Sequence, residues 1–95
     1  IYVNELEYWS AIGHADRAQQ TIRKGLDVNH ASSGGYAPLH AAAENGHLSV
    51  IETLLRAGAN PRAATDDGEK PSDLAHRAGH HIVAKRLLRA EAETN

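Results

Sequence analysis

Residues 35–58, GYAPLHAAAENGHLSVIETLLRAG, and residues 68–91, GEKPSDLAHRAGHHIVAKRLLRAE, are two copies of one pattern set 33 residues apart. Gly35 falls on Gly68, Pro38 on Pro71, Ala42 on Ala75 and Gly46 on Gly79. Val50, Leu54, Leu55 and Arg56 fall on Val83, Leu87, Leu88 and Arg89. The same step taken backwards brings Leu39 onto Leu6, Gly46 onto Gly13, Leu55 onto Ile22 and Gly58 onto Gly25. Self-similarity at a fixed period is the signature of a repeat architecture and is read before any local signal.

Each copy predicts two short helices and a loop. Pro38 and Pro71 suit a first helical turn, where a missing N–H costs nothing. Asn4 followed by Glu7 resembles a capping box at the start of the first unit. Gly13, Gly46 and Gly79 end the first helix of each unit, because glycine accepts the left-handed conformation that a helix stop requires. The second helix carries apolar residues four apart, Val50 with Leu54, Ile51 with Leu55 and Val83 with Leu87. Gly25 and Gly58 close it, and LDVNHASSGG and ANPRAATDDG read as extended hairpin loops between units.

Helices this short cannot bury an apolar face alone; stacking buries it against a neighbour, and about three units are needed for stability. The fold expected is an all-α repeat solenoid of three helix-turn-helix units joined by β-hairpin-like loops. It forms a single domain over residues 1–95, with repeats at about 4–31, 32–64 and 65–95. The end units depart from the middle one. Arg17 and Thr21 stand where the second unit has Val50 and Leu54, and Glu91 stands where a closing glycine is due, leading into RAEAETN. Both departures read as caps facing water.

Composition agrees with small side chains packed closely. Apolar residues make up 41% of the 95, aromatic residues only 4%, with one Trp, three Tyr and no Phe. Ten Lys and Arg against twelve Asp and Glu give a net charge of −2, which favours neither nucleic acid nor an anionic membrane. The chain has no Cys, so a disulfide framework and a thiolate zinc site are both excluded. No window resembles a membrane span or an export signal, and a cytoplasmic location is expected.

APLHAA at residues 37–42, followed by NGH and LLRAGAN, resembles the ankyrin repeat over about residues 4–90. Ala37 and Lys70 depart from that pattern where it prefers Thr, losing capping hydroxyls that are worth about 1 kcal/mol each. Ser72 and Asp73 replace its Leu-His in the third unit, and Glu7 takes the His position in the first. The resemblance implies a non-catalytic protein-binding module, an inhibitor or an adaptor, with no cofactor.

His14, His47 and His80 recur at the same interval. Stacked helices lie roughly 8–10 Å apart, whereas two nitrogens on one zinc lie about 3–4 Å apart. Histidines strung along the stack therefore read as structural, and no metal is assigned. Two alternatives belong to the last unit. His76, His80 and His81 could gather on a metal, although Gly79 should turn the last two away. Arg77, Lys85, Arg86 and Arg89 could make a weak nucleic-acid surface, although cations near a helix C-terminus also complement its dipole. No catalytic constellation is present: Ser10, Ser32, Ser33, Ser49 and Ser72 include no nucleophile elbow. Trp9, in register with Ala42, is expected to fill the first unit's core.

By the resemblance, a partner binds across the loop tips and the first helices. The positions carried over as partner-binding are Ser33, Tyr36, Glu44, Asn45, Asp66, Asp67, Glu69 and Arg77, with Gly34, Ala11, Ile12 and Ala78 beside them. Tyr36 is the rigid aromatic type enriched in binding hot spots. Asp66, Asp67, Glu69 and Glu44 form an acidic zone suited to another protein with a basic surface patch. Neither nucleic acid nor membrane is expected as a partner, and on its own the chain is expected to be a monomer.

Overall fold

The computed structural model describes residues 4–93. Thr94 and Asn95, the end of the polar tail, lie outside the described residues, as do residues 1–3. Six α-helices follow in order: α1 Glu5–Ile12, α2 Ala15–Arg23, α3 Pro38–Glu44, α4 Leu48–Arg56, α5 Pro71–Arg77 and α6 His81–Glu93. They pair as α1 with α2, α3 with α4 and α5 with α6, and the pairs stack. The first helices α1, α3 and α5 form one layer, the second helices α2, α4 and α6 the other. The first helices pack on one another more closely than the second do, which curves the stack towards the α1–α3–α5 side.

The helix starts and stops follow the sequence signals. Asn4 Oδ1 accepts the Glu7 backbone N–H at 3.0 Å, the first half of the expected box. The second half is missing from the first unit, where the Glu7 carboxyl turns to Ser32 instead. In the other units it is present without a capping hydroxyl. The Ala37 N–H donates to His40 Nδ1 at 3.1 Å, and the Lys70 N–H donates to Asp73 Oδ2 at 2.9 Å. Asp73 therefore does in the third unit what His40 does in the second. Gly13, Gly46 and Gly79 end the first helices at φ of 82°, 74° and 84°, a region that costs any other residue about 1–2 kcal/mol.

The core runs along the stack between the layers. Leu6, Leu39, Val50, Ile51, Leu54 and Leu87 are all but fully buried. Each contributes roughly 1.5–3 kcal/mol of burial. Alanines 18, 41, 42, 43 and 75 fill the space between them and let the helices approach closely.

The loops are hairpin-like, as expected, and Ser32 with Tyr36 forms an isolated antiparallel bridge. Among the described residues no strand forms. Each tip is a tight turn, closed by Ser32 N–H to Tyr36 O at 2.9 Å in one loop and by Thr65 N–H to Glu69 O at 2.9 Å in the next. The Asp66 N–H then donates to Gly34 O at 2.8 Å and joins the two tips edge to edge.

The end caps correct an expectation in part: Arg17 is exposed as expected, but two other positions are not. Thr21 is buried, its hydroxyl donating to Arg17 O at 2.8 Å. Glu91 is buried as well, so neither faces water. Trp9 packs against the core but is only half-buried. The Arg17 guanidinium covers its ring at 5.5 Å, and the rings of Tyr8 and His14 meet it edge-on.

Candidate functional site: the groove between loop tips and first helices

On the inward-curving side, the two tips and the ends of α3 and α5 enclose a groove of about 290 Å³. It brings together six of the eight residues that the sequence nominated: Ser33, Tyr36, Glu44, Asp67, Glu69 and Arg77. Ser33 rides on the tip turn and is exposed. Tyr36 follows that turn, half-buried. Its ring stacks on His40 with centroids 5.8 Å apart, and its hydroxyl donates to Glu44 Oε1 at 2.7 Å. That bond fixes Tyr36 against the end of α3, eight residues further along the chain.

Asn45 and Asp66 do not join the groove lining. Asn45 folds its amide back onto its own helix, donating to Ala41 O at 2.8 Å. Asp66 is exposed at the tip and lies over Gly35. Glu69 is not a free acid: Arg77, at the end of α5, pairs with it. Ala11 is buried rather than exposed, unlike its neighbour Ile12. The lining residues that sequence reasoning passed over are Ser32, Thr65 and Leu74. Their signal was available, because Ser32 and Thr65 are 33 residues apart and frame equivalent turns.

Beneath the groove, His40 links two units. With Nδ1 accepting from Ala37, Nε2 carries the proton and donates to Glu69 O at 3.0 Å. Burial holds its pKa below the ordinary histidine value, and the imidazole is neutral. Glu7 has no equivalent strong bond. Its Oε2 lies 3.4 Å from Ser32 Oγ, and Oε1, like the Ser10 hydroxyl, is buried with no hydrogen-bond partner among the described residues.

Two of the recurring histidines, His47 and His80, are joints between units, whereas His14 accepts the Arg17 N–H at the start of its own helix. The His47 ring lies against Gly13 and its Nε2 donates to Ala11 O at 3.1 Å; the His80 ring lies against Gly46 in the same way. The metal alternative meets this geometry directly. His80 faces Gly46, whereas His76 and His81 face each other edge-on at 5.9 Å, and among the described residues no three metal-ligating side chains converge.

The basic run of the last unit is divided in a similar way. Arg77 is held by Glu69. Arg86 makes a two-point pair with Glu52 of α4, Nε to Oε2 at 2.8 Å and Nη2 to Oε1 at 3.1 Å, which raises the Arg86 pKa further. Only Lys85 and Arg89 of the four remain without an acidic partner among the described residues.

A second ladder ties the loops on the far side, and it too keeps the period. Asn29 Nδ2 donates to Gly58 O at 3.2 Å. Arg62, 33 residues later, donates from Nε and Nη2 to Glu91 O at 3.1 and 2.8 Å. The Glu91 carboxylate in turn accepts from Lys70 Nζ at 2.9 Å and from the Ser72 hydroxyl. The residue that replaces a closing glycine thus locks α6 to both the loop before α5 and the start of α5.

Helix pairs stacked at one period, cross-linked by histidines on glycines and offering a rigid groove, define a repeat-stack protein. The family model for ankyrin repeats, three copies, matches residues 6–95, and the chain belongs to the ankyrin-repeat family. Ankyrin repeats are generally non-catalytic protein–protein interaction modules. Among curated proteins no match is found. No helix of the described residues is long and apolar enough to cross a membrane.

Proposed function

We propose that this chain binds a partner protein through the groove between its loop tips and first helices, acting as a non-catalytic adaptor, scaffold or inhibitor. The observation that carries the reading is the preformed setting of Tyr36, stacked on one side chain and hydrogen-bonded to another at the floor of a groove. An aromatic held in one rotamer loses little entropy on binding, which makes it a natural anchor. Glu44, Asp67 and Glu69 line the same groove against a single cation, Arg77, for a formal charge of −2. A basic surface patch on the partner is attracted there, and the attraction raises the association rate more than the affinity. Asp66 adds a charge at the rim, and Asn45 supports its helix end rather than touching the partner.

In this reading the chain is one domain of three repeats, taken as about 4–31, 32–64 and 65–95. It works as a monomer in the cytoplasm. The test is capture from native cell extract with the intact chain and a folded Tyr36→Ala, Asp67→Lys variant as baits, read by mass spectrometry. A basic protein retained by the first and lost by the second supports the groove. Equal retention by both baits sinks it.

A further inference from the structure

We propose that the groove between α4 and α6, on the outward-curving face, is a second docking surface that takes an acidic segment of another protein anchored by an apolar side chain. This inference stands independently of the first groove. The outer groove measures about 200 Å³ and is lined by Leu48, Glu52, Ile82, Lys85, Arg86 and Arg89. Ile82 is 74% exposed, the most of any large apolar side chain described, and Leu48 across the groove is 38% exposed. Apolar side chains gathered in one groove with a polar rim mark an interaction site more than the same residues scattered singly.

The charges of the rim specify the occupant. Three cations stand against one acid, a formal charge of +2 in a chain whose total is −2. The acid is already committed, since Glu52 holds Arg86 with both oxygens. Lys85 and Arg89 are exposed and lack an acidic partner among the described residues. Carboxylates on the partner would find two cations waiting, with the Glu52 charge already balanced by Arg86. A nucleic acid would use the same cations but gain little from Ile82. The apolar pair therefore favours a polypeptide, with an amphipathic helix laying its apolar residues across Leu48 and Ile82 and its acids towards Lys85 and Arg89. The two grooves then carry opposite charge on opposite faces, so two unlike partners could be held at once.

The experiment titrates the full chain, labelled with nitrogen-15, with a synthetic helical peptide of about five turns bearing Leu on one face and Glu on the other. A scrambled peptide of the same composition and a single-stranded DNA are titrated in parallel. Binding is expected to shift the amides of residues 48–52 and 82–89 and to leave residues 33–36 and 66–69 unmoved. Ile82→Asp and a Lys85→Glu, Arg89→Glu variant are each expected to weaken it about tenfold. Thermal unfolding monitors that both variants remain folded. The proposal is overturned if the scrambled peptide or the DNA shifts the same amides equally with Ile82→Asp indifferent, which would make the surface merely electrostatic. It is also overturned if the peptide shifts only the first groove or nothing, or if sedimentation shows a second copy of the chain filling the outer groove.

Discussion

The imidazole of His47 sits where a side chain on Gly13 would begin. A Cβ built on Gly13 would lie 2.5 Å from His47 Nδ1, and the same construction on Gly46 meets His80 Nδ1 at 2.7 Å. The close approach of ring to backbone is what allows His47 Nε2 to reach Ala11 O in the unit before it. Gly79 ends its helix with the same left-handed φ, but beyond Gly79 and its two chain neighbours no atom of the described residues lies within 4 Å of a Cβ placed there.

These three glycines therefore make a graded series. Gly79→Ala is expected to cost only the conformational penalty of about 1–2 kcal/mol. Gly13→Ala and Gly46→Ala should lose roughly 1–3 kcal/mol more, because the ring must shift and strain its surroundings. Urea unfolding of the three variants checks this, and equal losses would mean that the joint is not tight.

Glu91 is the residue whose removal should most disturb the last unit. Its carboxylate is buried and bound by Lys70 and Ser72, while Arg62 is bound to its carbonyl. Glu91→Ala leaves the Lys70 ammonium and the Ser72 hydroxyl without their acceptor and should cost about 2–3 kcal/mol. Glu93→Ala, two residues along and exposed, should change stability by less than about 0.5 kcal/mol. The comparison is made by chemical denaturation.

His40 gives the fold a defined acid limb. Burial depresses its folded pKa below the ordinary value of 6.5, so between the two values the unfolded chain binds a proton that the folded chain refuses. Its contribution is fully present above about pH 6.5 and is lost as the pH falls towards the folded value. His40→Gln should be less stable near pH 7. Between about pH 7 and pH 5 its stability should decline less steeply than that of the native chain, by up to roughly 1.4 kcal/mol per pH unit. Unfolding midpoints across that range decide it, and parallel slopes would remove His40 as the cause.

Glu7 offers a gain rather than a loss. It occupies the position of His40 one unit earlier, with Oε1 buried and unpartnered among the described residues. A histidine there could donate to Tyr36 O as His40 donates to Glu69 O, and could accept from the Asn4 N–H as His40 accepts from Ala37. Glu7→His is expected to raise stability by about 1 kcal/mol, seen as a higher unfolding midpoint. A lower midpoint would show that the first unit needs the carboxylate.

The units and their helices were legible because the residues that define them act within a unit. Gly13, Gly46 and Gly79 stop helices by their own backbone, and Val50, Leu54, Val83 and Leu87 mark a buried face by spacing alone. What escaped the sequence acts between units at separations near, but not equal to, the period. Glu52 with Arg86 spans 34 residues, His40 with Glu69 spans 29, and His47 with Ala11 spans 36. Laying the units in register aligns like with like and hides these diagonal pairs. Thr21 and Glu91 misled for a related reason. Polar residues at end units suggest water, yet each satisfies its polar atoms inside the packing. The candidate groove was readable as a list of positions, but not the pairing of Glu69 with Arg77, which depends on side-chain reach.

The His-on-Gly joint also bears on how such a molecule can change length. The same plug meets the same socket at both junctions, so the interface between neighbours is an interchangeable part. A 33-residue block duplicated at either junction would bring both halves of the coupling with it and need no new core. Stability in such an array grows roughly unit by unit through nearest-neighbour terms. Lengthening this chain is therefore an act of copying rather than of redesign.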